Sequence, residues 1–109
     1  MFQIDKKNNI RIIQGDTAIL DLHFDNYTLQ KGDCVYLTIK KHLTDSEFAI
    51  QKVITAFENG VCKIQLTSFD TNLPCGEYVY DVQCNLMDGR IDTVIGPCYF
   101  HILGGVTND

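Results

Sequence analysis

This sequence is short of basic residues, of paired cysteine spacings and of long apolar runs, and each shortage excludes a class of protein. Lysine and arginine number nine against fourteen aspartates and glutamates, a formal net charge of −5. Nucleic acid is therefore not an expected partner, because phosphate contacts need clustered cations that release counterions. The densest basic run, Lys40-Lys41-His42, is followed by Asp45 and Glu47 and reads as a solvated strand end. No apolar stretch approaches the roughly 18 residues of a membrane helix, and "MFQIDKKNNIR" has no apolar h-region, so no membrane partner and folding in a cytosol are expected. The five cysteines, at 34, 62, 75, 84 and 98, are odd in number and include no C-x-x-C, which indicates neither a disulfide framework nor a zinc knuckle. Helical periodicity is missing too: no segment keeps apolar residues at i, i+3, i+4 and i+7 for three turns.

What is present is alternation. "TAILDLHF" puts Ala18, Leu20, Leu22 and Phe24 on one face, "VYLTIK" does so with Val35, Leu37 and Ile39, and "CKIQLT" with Cys62, Ile64 and Leu66. Asn59-Gly60 is the turn signal before the last of these. "EFAIQKVI", with Phe48 and Ile50, reads as a further strand, and Ile10 to Ile13 as another. Ordinary globular composition and 109 residues imply one domain: a β-sandwich over 1–103, then a C-terminal tail or start of a linker over 104–109 that opens on Gly104-Gly105.

The stretch "LPCGEYVYDVQCNLMDGRIDTVI" supplies a hairpin. Asp88-Gly89 is a two-residue type I′ signal, and that turn would set Leu86 opposite Ile91, Cys84 opposite Thr93 and Val82 opposite Ile95, with Asp92 and Val94 facing outward. Beyond Ile95 the alternation would turn Tyr99 and His101 inward. A bulge at Gly96-Pro97 would instead bury Cys98, Phe100 and Ile102, the better core, and is therefore expected.

Residues able to carry chemistry fall at structural positions. Cys62, Cys84 and Cys98 read as small apolar core side chains, and Cys34 and Cys75 as a strand start and a loop residue without a basic neighbour to activate them. His23, His42 and His101 lack ligand spacing. Asp88 is a turn residue, Asp81 and Asp92 are outward strand residues, and no glycine-rich phosphate loop occurs. The expectation is no enzyme, with no catalytic, cofactor-binding or metal residues and no cofactor.

Tyr78, after the Leu73-Pro74 turn, resembles the tyrosine corner of immunoglobulin-like sandwiches, its hydroxyl tying the strand to the loop "SFDTNLP". Fibronectin type III domains have a similar arrangement, from which this sequence departs by placing Pro74 directly after Leu73. The fold class is thus an all-β, immunoglobulin- or fibronectin-III-like antiparallel sandwich of about seven strands; the absence of tryptophan and of a matched cysteine pair argues against an antibody-type domain.

The order "QGDTAILDLHF", "VYLTIKK", "FAIQKVI", "CKIQLTSFDTNLPCGEYVYDVQ" and "DGRIDTVIGPCYFHILGGVT" is similar to the immunoglobulin-like N-terminal domain of phage baseplate upper proteins and related minor structural proteins of phages infecting low-GC Gram-positive bacteria. The likeness covers nearly the whole chain, with Cys62, Cys84 and Cys98 standing at aliphatic positions. It implies a virion protein of the tail or baseplate region, made in the host cytoplasm, that mediates subunit assembly or attaches a receptor-binding fibre, with other virion proteins or further copies of itself as partners. The alternative is a surface-binding domain for host-cell carbohydrate, with Tyr27, Tyr36 and Tyr99 as outward stacking faces.

Overall fold

The alternating segments fold as strands, and no helix forms over residues 2–106, the part of the chain that the computed structural model describes. The eight strands are β1 (Phe2–Ile4), β2 (Ile10–Ile13), β3 (Ala18–Leu22), β4 (Cys34–Lys40), β5 (Ile50–Ile54), β6 (Cys62–Leu66), β7 (Gly76–Asn85) and β8 (Ile91–Leu103). Six lie in one sheet in the order β1-β2-β8-β7-β4-β5, and β3 and β6 form a second sheet across the core. The result is an all-β sandwich. Its central strands, β8-β7-β4 facing β3-β6, stand as the G, F and C strands stand to B and E in an immunoglobulin-like domain. All pairings are antiparallel except β2 with β8, which run parallel from Ile10↔Phe100 to Ile13↔Leu103.

The inward residues of the alternating segments at β3, β4 and β6 meet those of β7 in one core. Val35, Leu37 and Ile39 of β4, with Tyr80 and Val82 of β7, pack under Leu20, Cys62, Ile64 and Leu66 of the smaller sheet, all buried. Burying a side chain of this size stabilises by about 1.5–3 kcal/mol, so these strands are held by their inner faces. The Tyr80 ring meets Phe100 edge-on at a centroid distance of 6.0 Å, while its hydroxyl donates to the carbonyl of Asn8 at 2.6 Å. That bond satisfies the one polar atom of a buried ring.

The expected bulge at Gly96-Pro97 is present. Val82 pairs with Ile95 and Tyr80 with Cys98, so Asp81 alone stands opposite Gly96 and Pro97, and Phe100 and Ile102 are turned into the core. Gly96 has φ +91°, and a Cβ there would lie 2.7 Å from the Tyr80 carbonyl oxygen, so only glycine fits this crossing.

The hairpin register differs from the expected one. Leu86 N–H donates to the Arg90 carbonyl, closing a three-residue loop, and the pairs are Asn85↔Ile91, Cys84↔Asp92 and Gln83↔Thr93. Of the loop residues only Gly89 has positive φ, +96°, whereas a type I′ turn needs two such residues. The Asp88 carboxylate accepts from Arg90 N–H and Nε and favours the longer turn. Consequently Asp92 and Val94 lie on the inner side, and Ile91 on the outer side is 63% exposed. A second irregularity passes over Val94, after which Val82 and Ile95 pair as expected.

Two further differences concern the ends of the large sheet. β1 adds an eighth strand that three residues without a clear alternation did not announce. The strand after β4 begins at Ile50, leaving Phe48 52% exposed in a loop where the Asp45 carboxylate accepts from His42 N–H and Lys40 Nζ donates to the Asp45 carbonyl. β8 ends at Leu103 with Gly104 and Gly105 beyond it; of the expected tail over 104–109, and of the closing "V-T" pair, residues 107–109 lie outside the described residues.

Candidate functional site

The stretch from Leu73 to Ile95, with its four acids, two tyrosines and two cysteines, is built as scaffold. Tyr78, buried at the start of β7, donates from its hydroxyl to the Pro74 carbonyl at 2.7 Å, which is the tyrosine-corner geometry, and Lys41 Nζ lies 4.5 Å from its ring centroid. The loop it ties down is pinned twice more. Thr71 Oγ1 donates to the Asp16 carbonyl at 2.7 Å, and the Asp70 carboxylate accepts from Lys52 Nζ and Thr67 N–H, each at 2.8 Å. Burial pushes the Asp70 carboxyl up, but Lys52 and Thr67 outweigh it and hold the group below the ordinary carboxylate value.

Asp33 does the same for the β7–β8 tip. Its buried carboxylate accepts from Met87 N–H and the Tyr27 hydroxyl at 2.8 Å and from Gln30 N–H at 3.0 Å. Burial alone raises such a group; the Met87, Gln30 and Tyr27 donors outweigh burial and lower it.

Each expected chemistry-bearing residue has a place. Cys62 and Cys84 are buried, and burial pushes the Cys62 thiol up to about 11, with nearby Cys84 adding to the shift. Cys84 is raised by burial and by Asp92 and Asp33. Cys98 is half-buried, raised by burial and Asp5, and donates from Sγ to the Lys7 carbonyl. Such thiols resist ionisation and hence nucleophilic chemistry. Cys34 is half-buried and Cys75 exposed. His23 and His42 are exposed and apart from His101, whose Nδ1 lies 3.8 Å from Glu77 Oε2. Among the described residues no three His, Cys, Asp or Glu side chains assemble as a metal-binding group. Of the three tyrosines read as outward, Tyr36 is half-buried, Tyr99 is 50% exposed, and Tyr27 is held against the core by Asp33 with the Arg90 guanidinium 5.6 Å from its ring centroid.

Besides the outer edges of β1, β3, β5 and β6, which end their sheets, the surface has an open half-edge on β8 and several clefts, among them one at Asp92 and Val94 and one at the β1–β2 turn. β2 covers the edge of β8 only from Phe100 to Leu103. The chain upstream of Ile10 does not continue along β8, because the Asp5 carboxylate accepts from Lys7 and Asn9 N–H and Asn8 takes φ +66°, folding β1 back onto the far side of β2. Tyr99 N–H is capped by Asn9 Oδ1 at 2.9 Å. From Ile91 to Pro97, β8 therefore has β7 on one side and, among the described residues, no strand on the other. Residues 91–94 are all exposed, on both faces of the strand, because the two-stranded layer does not reach them.

The first cleft adjoins that edge on the inner side. It has a volume of about 80 Å³ and is lined by Phe24, Tyr27, Cys84, Leu86, Arg90, Asp92 and Val94. The second, about 470 Å³, lies beside the β1–β2 turn, between the polar residues Gln3, Asp5, Asn9, Arg11 and His101 and the apolar Ile4. The first is not expected from the sequence, because a two-residue turn places Asp92 and Val94 outward; the second depends on the fold-back of residues 2–9. The close spacing of Asp5, Asn8 and Asn9 is the local signal that the chain turns away before Ile10.

No family model matches the sequence, and no curated protein matches it.

Proposed function

We propose that this chain is a non-catalytic structural module of a phage tail or baseplate, mediating subunit assembly or holding a receptor-binding fibre. The observation that carries the reading is the first half of β8, Ile91 to Pro97, which has β7 on one side and, among the described residues, no strand on the other. Edges of this kind are blunted in free-standing domains and used in assemblies. The likeness of the quoted segments to tail and baseplate proteins supports the same reading. Purified virions probed by mass spectrometry and by electron microscopy with a labelled antibody test it. The protein is expected in the particle with label on the tail end; its absence from washed particles contradicts the proposal.

A second reading is recognition of host-cell carbohydrate, favoured by the cleft at the β1–β2 turn, beside half-exposed Tyr99, where Arg11 and Gln3 offer planar hydrogen-bonding groups. A glycan array is expected to show binding that Arg11→Ala weakens; an array without hits at high protein concentration removes this reading.

A further inference from the structure

We propose that the first half of β8, Ile91 to Ile95, is a strand acceptor that takes an extended segment of a different protein, with a branched aliphatic side chain in the adjoining cleft and a basic side chain against Asp92. The proposal rests on the assembly reading above and names its contact surface.

The backbone sets the class of partner. In an antiparallel pair, residues alternate between exchanging hydrogen bonds with the neighbour and turning both groups away from it. Leu86 N–H donates to the Arg90 carbonyl at 2.8 Å, so Arg90 and Asp92 turn toward β7 and the N–H and C=O groups of Ile91 and Thr93 turn toward the open edge. A row of free donors and acceptors at this spacing is matched by another strand. Its length is bounded by the loop at Asp88-Gly89 and by Pro97, which has no N–H to offer.

The side chains narrow the choice. The cleft of about 80 Å³ between Phe24, Tyr27, Leu86 and Val94 is roughly half the ~150 Å³ that accommodates a benzene ring, so it suits one branched aliphatic side chain. Asp92 lies on its wall with no hydrogen bond or ion pair among the described residues; Arg90, on the same wall, is taken by Asp88 at 2.9 Å. A strand laid along the edge therefore meets one uncompensated carboxylate, which favours Lys or Arg at that position. The same carboxylate disfavours a second copy of this chain. Two edges paired antiparallel about Thr93 bring both Asp92 side chains onto one face near the axis, in a chain of net charge −5.

The test is an NMR titration of the full-length, isotope-labelled protein with a short, end-blocked peptide of alternating valine and threonine bearing lysine at each end. Amide shifts are expected to be confined to Ile91–Ile95 and to Phe24 and Tyr27. The same peptide with glutamate in place of lysine is expected to bind about tenfold more weakly. Thr93→Pro removes an outward-facing donor and leaves the β7 ladder intact, and is expected to weaken binding about tenfold. Should that variant fail to fold, Asp92→Lys provides the second reading, with the preference between the two peptides reversed. Shifts centred on β3 or β5, or equal affinity for both peptides, overturn the proposal. So does a concentration-dependent dimer that Thr93→Pro abolishes, since the occupant is then a second copy. Absence of the protein from virions removes the tail assignment and leaves this result standing, while a failed titration with the protein present in virions removes the acceptor alone.

Discussion

β8 is one strand with two environments. Both "IDTVI" and "YFHIL" are rich in apolar residues, and both are paired on one side with β7, yet Phe100 and Ile102 are buried while Ile91 and Val94 are exposed. The second half has β2 on its other edge and β3-β6 across the core; the first half has neither. Burial along a strand is thus decided by its neighbours. Apolar character alone does not set it, and the half without neighbours is where a partner has something to gain.

The largest separation between the halves is expected in stability. Phe100→Ala opens a cavity beneath Tyr80 and is expected to cost about 3–5 kcal/mol in urea or thermal unfolding. Next comes the tie that holds the exposed half in place. Asp33→Ala strips acceptors from Met87, Gln30 and Tyr27 and is expected to cost about 2–3 kcal/mol. The same carboxyl gives a pH dependence. Because its folded value lies below the unfolded one, its contribution is complete above about pH 4 and is lost as pH falls through the folded value, and Asp70 acts in the same sense. Unfolding curves between pH 6 and pH 2 are expected to show this loss, reduced in Asp33→Ala.

The joint between the halves comes third. Gly96→Ala puts a Cβ 2.7 Å from the Tyr80 carbonyl oxygen at φ +91° and is expected to cost about 2 kcal/mol. Smallest is Ile91→Ala, expected to change stability by less than about 0.5 kcal/mol because the side chain is already in water. A cost near that of Phe100→Ala would erase the distinction between the halves.

Much of the second half was legible in the sequence and little of the first. Alternation located β3, β4 and β6 and their inward faces, because period-two patterns report a half-buried strand directly. The bulge at Gly96-Pro97 followed from asking which parity makes the better core, and the Tyr78 tie from its place after Leu73-Pro74. The hairpin tip was misread by one residue since Asp-Gly serves both a type I′ turn and a type I turn with a following left-handed glycine. The longer turn is the one that Asp88 supports by binding Arg90 and that the remote Asp33 holds at Met87. The open edge was invisible for a different reason. It depends on where residues 2–9 go, and nothing within residues 91–97 records that β1 folds back onto β2.

Native-state hydrogen exchange resolved by residue is the most direct test of an open half-strand. The Ile91 and Thr93 amides are expected to exchange at nearly unprotected rates, while the amides from Phe100 to Leu103, flanked by β2 and β7, exchange only with global unfolding. Protection of Ile91 and Thr93 equal to that of Phe100 would mean that the edge is already covered.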